Sequence, residues 1–481
     1  MLNFASCCDR IVVPFFMKGM NTMESVVKIR RIHINNIKNV KSGEILSSFY
    51  NSNQFVLSSE VIGIYGQNGS GKTALINALY ILKSVMGCDM DKDSFNDDIY
   101  PLINSESKVA TLAFDFVILK ESKQFEAFYE FKIEKKDKTI LIFDEKLSYK
   151  GIFPEKVSKV TIIETSREQD LTFLPKTRYD ELISKNKQYK TDLIVSRKMA
   201  EKEIESFIFR KESLDIFTEG FDNENFTTVI LALHYFAKMK LFVITNHHHS
   251  VIHDNMLLPL AFRYQKDETL SVGDFPIRFG ENKLDKDEYA LFKGIINQMS
   301  LLIHTIIPDM YLDLKEYGEV ILENGQTGIS VELMSKRNGI SIPIKYESDG
   351  IKKIISILSA LIAMYNSESI CVAVDELDAG IFEYLLGEML KVIKDSGKGQ
   401  LIFTSHNLRP LEVLDKTSIY FTTTNPMNRY IQFSNIKNNN NLRDVYLRTI
   451  DLGGQKECVY QVTSAYDISR AFRLAGKFYE Q

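Results

Sequence analysis

The sequence predicts an α/β fold: a P-loop head with an antiparallel β meander and an inserted helical lobe. Three observations carry that prediction. Residues 66–73 read Gly-Gln-Asn-Gly-Ser-Gly-Lys-Thr, between an apolar β-rich run, Val61 to Tyr65, and a helix-patterned run from Ala74 onward. A second wholly apolar run, Ile370 to Val374, leads into Asp375-Glu376, as a strand buried on both faces of a mainly parallel sheet would. Between the two runs lies a segment of largely helical pattern, so the head is split in sequence.

Taken in order, residues 1–24 are an unassigned leader. Its apolar patch, Ile11 to Phe16, is short, carries Pro14 and lacks a basic flank, so it does not read as a signal peptide. Methionines at 17, 20 and 23 leave the start codon open. Residues 25–150 make the first half of the head. Extended stretches at Ser25 to Val40 and Gly43 to Phe49 lead into the phosphate-loop strand. The helix after Thr73 carries Leu75, Ile76, Leu79, Ile81 and Leu82 on one face, and Asp91 to Asp98 reads as an acidic loop. Strand-like runs follow at Ala110 to Leu119, Phe125 to Ile133 and Thr139 to Leu147.

Residues 151–340 are read as the inserted lobe, with helical patterns at Asp180 to Phe217, Phe226 to Ile244 and Asp287 to Ile307. No sustained heptad repeat occurs there, so any coiled-coil arm is a stub. Residues 341–424 complete the head, with a periodic helix at Ile351 to Met364, a helix-like run at Phe382 to Ile393 and a strand at Gln400 to Thr404. Residues 425–481 form a small extension: an Asn-rich loop, then an extended or helical segment.

The chemistry follows from residue types. Gly66, Gln67, Asn68, Gly69, Ser70 and Gly71 let backbone N–H groups wrap a phosphate, and the following helix points its dipole at the same anion. Lys72 neutralises the β- and γ-phosphates and the Thr73 hydroxyl ligates Mg²⁺, so ATP and Mg²⁺ are the expected ligands. Asp375 would hold that ion, and Glu376 would orient and deprotonate the attacking water. Ser348 and Gly350 open the Ile351 helix and make a second anion site, unless Ser348 is a plain cap. His406, at the end of the strand after Glu376, is placed to sense a γ-phosphate.

Composition is that of a globular protein of two or three lobes: 481 residues, 44% hydrophobic, 25% charged, net charge −4. That charge neither predicts nor excludes a nucleic-acid partner. Five cysteines (7, 8, 88, 371, 458) show no zinc-ligand spacing and fit a reduced cytoplasmic chain. No apolar run is long enough for a membrane span. His247 to His249 with His253 and Asp254 read as an exposed loop, since three consecutive histidines cannot all face one metal. Lys185, Lys187, Lys190, Arg197, Lys198, Lys202, Arg210 and Lys211, mixed with glutamates, read as a solvated face, with a DNA-contacting stripe as the alternative.

The order phosphate loop, inserted lobe, Glu347-Ser348-Asp349-Gly350, Asp375-Glu376-Leu377-Asp378-Ala379-Gly380, then Thr404-Ser405-His406 resembles the SMC-like ABC ATPases. Tyr65 to Leu75 and Gly399 to Asn407 are similar to the ATPase subunits of bacterial antiphage systems, notably Septu, and also PARIS and AbiL. The resemblance implies that Ser348 and Gly350 are a signature acting in trans on a second subunit's γ-phosphate, and that Asp378 belongs to a D-loop at the dimer contact. It implies a homodimer or higher oligomer whose closure controls a separately encoded nuclease, HNH-type or, in the alternative, TOPRIM-type, with DNA or a phage-derived trigger. Two departures stand out: no glutamine between Met86 and Tyr149 reads as a Q-loop, and Asp349-Gly350 stands where transporters show two glycines. Only residues 407–481 follow His406 and they hold no Asp-x-Asp, so no TOPRIM nuclease is expected in the chain itself. A DNA-repair clamp and a non-hydrolysing nucleotide-sensing scaffold are the competing functions.

Overall fold

A computed structural model describes residues 25–50, 58–87, 92–168, 170–245, 257–266, 269–434 and 441–476. The leader, Cys7, Cys8, Cys88, the histidine run at 247–249 with His253 and Asp254, and most of the Asn-rich loop lie outside the described residues.

Strands β1 (Val26–Ile37) and β2 (Val40–Leu46) pair antiparallel and precede β3 (Glu60–Tyr65), which delivers the phosphate loop to helix Lys72–Gly87. The stretch read as an acidic loop is instead a helix, Lys92–Ile99. It is held to the meander by Asn96, whose side chain accepts from Ile140 N (3.0 Å) and donates to Lys138 O (3.1 Å). The meander continues through β4 (Val109–Lys120), β5 (Lys123–Lys136), β6 (Thr139–Phe153) and β7 (Val157–Glu164), giving a six-stranded antiparallel sheet in the order β2-β1-β4-β5-β6-β7. The sequence-based boundary at residue 150 falls inside β6.

Four helices follow: Lys176–Lys185, Gln188–Glu203, Lys211–Gly220 and Glu224–Tyr235. The last was expected to run to Ile244. It stops at Tyr235, passes through a π-helical turn, Phe236–Lys240, and gives way to β8 (Leu241–Ile244). The physical reason is that Leu-Phe-Val-Ile is fully buried and pairs in parallel with a central strand of the head, so tertiary pairing overrides helical periodicity. The rest of the insertion is also partly β. Hairpin β9 (Leu257–Lys266) and β10 (Thr269–Arg278), β11 (Asn282–Leu284), β12 (Met310–Ile321), β13 (Thr327–Arg337) and β14 (Ile340–Pro343) surround helix Lys286–Ile306. That helix is fixed at its start by an Asp285–Glu288 capping box.

The chain then re-enters the head through helix Asp349–Asn366, β15 (Cys371–Val374), helix Glu383–Ser396, β16 (Gln400–Thr404), β17 (Ile419–Thr422) and β18 (Tyr430–Ile431). The second sheet runs β18-β17-β3-β16-β15-β8, and every pair from β17 to β8 is parallel. Alternate residues serve opposite faces. In β3, Ile62 and Ile64 join the core shared with the meander, helix Lys72–Gly87 and the four-helix lobe. Val61 and Tyr65 join the core beneath helices Asp349–Asn366 and Glu383–Ser396. The C-terminal extension resolves into helices Leu442–Leu452 and Ala465–Gly476.

Two side chains join the sheets by imitating backbone. Gln400 accepts from Ile29 N (2.7 Å) and donates to Ile29 O (2.8 Å), while Tyr420 Oη accepts from Leu46 N (3.0 Å) and donates to Leu46 O (2.9 Å). The meander holds the helical lobe by the fully buried Glu145, which accepts from Tyr129 Oη (2.8 Å), Ser206 Oγ and Phe207 N (2.7 Å). Burial raises its pKa above the ordinary carboxylate range, opposed by those bonds.

Replacing Gln400 by Met keeps its length but orphans a buried N–H and a buried C=O. At about 1–3 kcal/mol for each unsatisfied group, the variant is expected to lose about 2–6 kcal/mol of stability, read as a lower midpoint in urea denaturation.

Candidate functional site

Four neighbouring strands bring the site together, because ligand crevices form outside the carboxyl ends of parallel strands. β3 ends in the phosphate loop, β16 in Ser405 and His406, β15 in Asp375 and Glu376, and β17 in Thr422. A cleft of about 350 Å³ opens there, lined by Gly66, Gln67 and Asn68 on one side and His406, Tyr446 and Tyr460 on the other.

The loop is braced from outside. Thr422 Oγ1 bonds Ser70 Oγ (2.5 Å) and Tyr430 Oη donates to Gly71 O (2.7 Å). Gly66 is confined to glycine twice over: its φ is +152°, and a Cβ would lie 1.7 Å from Thr422 Oγ1. Lys72 folds back to donate to Gly66 O (3.0 Å) and Gln67 O (3.2 Å), so its ammonium lies over the loop that a phosphate would occupy. Burial lowers its pKa from the ordinary lysine range, against the pull of the Asp375, Glu376 and Asp378 carboxylates. Burial also lowers Lys38, in a left-handed turn between β1 and β2, again opposed by Asp375. Thr73 opens the helix beside Lys72.

Asp375 is fully buried. Its Oδ1 accepts from Thr404 Oγ1 (2.6 Å), while Oδ2 has no hydrogen-bond partner among the described residues. A buried carboxylate oxygen without a donor is costly, and it is the kind of hard oxygen that Mg²⁺ takes as ligand. The donor set of Asp375 with the Thr73 hydroxyl therefore fits that ion. Glu376 follows with φ +50°, an uncommon left-handed conformation for a non-glycine residue. Its N–H donates to the same Thr404 Oγ1 (2.7 Å) and its carbonyl accepts from Lys353 Nζ. Burial pulls the Lys353 ammonium down to about 8, against those three carboxylates. Asp378 Oδ2 accepts from His406 N (3.1 Å) and Asn407 N (3.0 Å), tying the loop after β15 to the one after β16. The His406 side chain is exposed at the cleft wall.

Ser348 and Gly350 do not line this cleft. Ser348 is the N-cap of helix Asp349–Asn366, yet its hydroxyl makes no capping bond. Gly350 packs instead on Gly380, where a Cβ would come within 2.6 Å of the Gly380 carbonyl oxygen. Among the described residues no group of three or more His, Cys, Asp or Glu side chains is arranged to hold a metal, and no helix is long and apolar enough to cross a membrane. Cys371 and Cys458 are free thiols. Of the basic cluster, Arg197 donates to Leu171 O, Thr172 O and Ser166 O, Arg210 pairs with Glu203, Glu205 and Glu212, and Lys185 pairs with Asp222. Those three are spent on internal contacts.

Sequence reasoning missed Thr404, Thr422, Tyr430, Lys353 and Lys38. Thr404 and Thr422 carried a usable signal, since each ends an apolar strand at the carboxyl edge where the motifs converge. Thr404→Val keeps the branched shape and removes both hydroxyl bonds. Outer-shell partners of metal ligands are typically worth 10–100-fold, so Mg²⁺-dependent nucleotide turnover is expected to fall by about that factor, tested by an Mg²⁺ titration against the wild type.

Solved structures with similar outlines include "the SmcHead bound to the C-winged helix domain of ScpA", 13% identical with TM-score 0.42, covering 85% of this chain and 98% of that one. An Smc head domain with an extended coiled coil bound to the C-terminal domain of ScpA, from Pyrococcus furiosus, is 13% identical with TM-score 0.38 (85% and 97%). The SMC head domain from Thermotoga maritima is 13% identical with TM-score 0.36 (85% and 99%). No curated protein matches the sequence. The family model described as "AAA domain, putative AbiEii toxin, Type IV TA system" matches residues 61–412, from the phosphate-loop strand to just beyond His406. With well over half of its length inside that match, the chain belongs to this AAA-domain family.

Proposed function

We propose that this protein is an ABC-type ATPase that hydrolyses ATP between two copies of itself and uses the cycle to regulate a separately encoded nuclease in antiphage defence. The observation that supports the dimeric site best is the position of Ser348 and Gly350. A helix N-terminus with an unused cap hydroxyl is an anion site, but it lies against Gly380, away from the chain's own phosphate loop. In this reading its phosphate comes from a second copy. Exposed aromatic residues flank it: Tyr346 is 70% and Phe382 72% exposed, as a surface awaiting a second copy would have.

In this reading Lys72 and the loop amides hold the triphosphate, and Asp375 with Thr73 holds Mg²⁺, which supplies charge neutralisation at the phosphate oxygens. Glu376 orients the attacking water and accepts its proton. Thr404 holds the Asp375 carboxylate and the Glu376 backbone N–H from one hydroxyl, so the placement of that carboxylate against the Glu376 main chain is set before nucleotide arrives. His406 lines the cleft, where it would sense the γ-phosphate, and its backbone bond to Asp378 would carry a change there to the dimer contact. The antiphage role and the HNH-type partner rest on the resemblance of Tyr65 to Leu75 and Gly399 to Asn407 to the ATPase subunits of such systems.

Two experiments test this. Lys72→Ala and Ser348→Arg should each abolish turnover alone, whereas an equimolar mixture should recover activity, because a mixed dimer keeps one intact loop facing one intact signature. No recovery on mixing would place both motifs in the same chain's site. Separately, the native operon is expected to yield a stable complex with an HNH protein on affinity purification. A lone chain with ATP-dependent, salt-sensitive DNA binding would replace the regulatory reading with that of a clamp.

A further inference from the structure

Among the described residues, the C-terminal helix Ala465–Gly476 is left exposed. Phe472 is 76% exposed and Tyr466 70%, with Ile468 and Leu474 about half exposed. A 12-residue helix without tertiary packing is marginal in water, and large apolar side chains grouped on one exposed helix mark an interaction site. Its root is fixed. Gln461 N donates to Gln67 Oε1 (3.0 Å), Gln67 Nε2 donates to Gln461 O (3.4 Å), and Tyr460 lines the nucleotide cleft. The helix therefore leaves the rim of the phosphate loop, the rim that a second copy's signature face would meet.

That face offers a matching surface. Helix Glu383–Ser396, which follows Asp378 and Gly380, turns Tyr384 and Val392 outward, both more than half exposed. Around them Glu383, Glu388 and Asp395 are exposed against a single exposed base, Lys391. The C-terminal helix carries the opposite balance, Arg470 and Arg473 against Asp467. We propose that Ala465–Gly476 is an exchanged arm: in the ATP-closed dimer its face bearing Tyr466, Arg470, Arg473 and Leu474 lies on the outward face of helix Glu383–Ser396 of a second copy, with the two arginines against the acidic residues there and Ile468 and Phe472 on the opposite side of the arm. The proposal rests on the sandwich reading above and adds to it a contact outside the nucleotide. Because the arm's root is bonded to Gln67 in the phosphate loop, nucleotide and arm are sensed at one place.

The test uses the full chain carrying Glu376→Gln with ATP, followed by sedimentation. Arg470→Glu with Arg473→Glu, and separately Glu383→Lys with Glu388→Lys, are each expected to weaken dimerisation at least tenfold while nucleotide binding by the monomer stays unchanged. Mixing the two charge-reversed chains is expected to restore dimers, since every arm then meets a face of opposite sign only in the mixed pair. Wild-type dimerisation by both variants, or no recovery on mixing, overturns the arm. Loss of binding to an effector protein with intact dimers likewise overturns it, by naming a different occupant. If the Glu376→Gln parent itself stays monomeric with ATP, the sandwich reading fails first.

Discussion

A carboxylate buried at the end of a strand is the constraint on which the head is organised. Asp375 lies at zero exposure with one oxygen bonded to Thr404 and the other without a partner. Leaving a charge so placed is unfavourable unless something nearby supplies positive potential. Lys72, Lys38 and Lys353 supply it, each itself held below the ordinary lysine range by burial and opposed by Asp375. The three lysines come from distant points in the chain: Lys72 follows β3 of the parallel sheet, Lys38 lies in the turn between β1 and β2 of the antiparallel sheet, and Lys353 is in helix Asp349–Asn366, so packing of both sheets and that helix gathers them around one acid. The fold thus places charge in a dry environment where one divalent ion changes the balance.

Lys353 makes that balance matter for more than one site. It sits in the first turns of the helix that begins at Ser348, and it donates to the carbonyl of Glu376. Gly350 and Gly380 press their backbones together beside it. The N-terminus of helix Asp349–Asn366 and the backbone of Glu376 are therefore parts of one packed unit. Moving the helix end by a fraction of an ångström moves the Glu376 backbone, which is already held in a left-handed conformation. A packed interior resists continuous deformation, so such a unit favours discrete arrangements over graded ones.

The motifs that converge at the cleft were legible in the sequence because their pattern permits few substitutes: closely spaced glycines, a lysine, a hydroxyl, two acids after an apolar strand. The scaffold was less so. Gln400 and Tyr420 look like a polar residue at a strand start and an aromatic in a strand, and nothing local says that they bond the backbones of Ile29 and Leu46, more than 370 residues away. Thr404 acquires its importance only when β16 lies beside β15. Helix Lys92–Ile99 was misread because its polar sequence is stabilised by Asn96 against the meander, a contact invisible to periodicity. The same holds for β8, whose four apolar residues continue a helical pattern and become a strand only because the edge of β15 is vacant.

That last strand joins the inserted lobe to the strand that ends in Asp375. The four-helix segment ends at Tyr235, turns through Phe236–Lys240 and enters β8, where Ile244 O accepts from Asp375 N (2.9 Å). One turn earlier His234 Nδ1 meets Met86 O (2.9 Å) at the far end of the helix that starts with Lys72. The lobe is thereby hydrogen-bonded to both halves of the nucleotide site, once through the strand that ends in Asp375 and once through the helix that begins at the loop. A relative shift of those two elements cannot occur without repacking the π-helical turn between them, and π-turns inside helices are commonly places where function imposes an irregular register. Glu145 then fixes the other side of the lobe to the meander, so the lobe is anchored on both sides and not a free appendage.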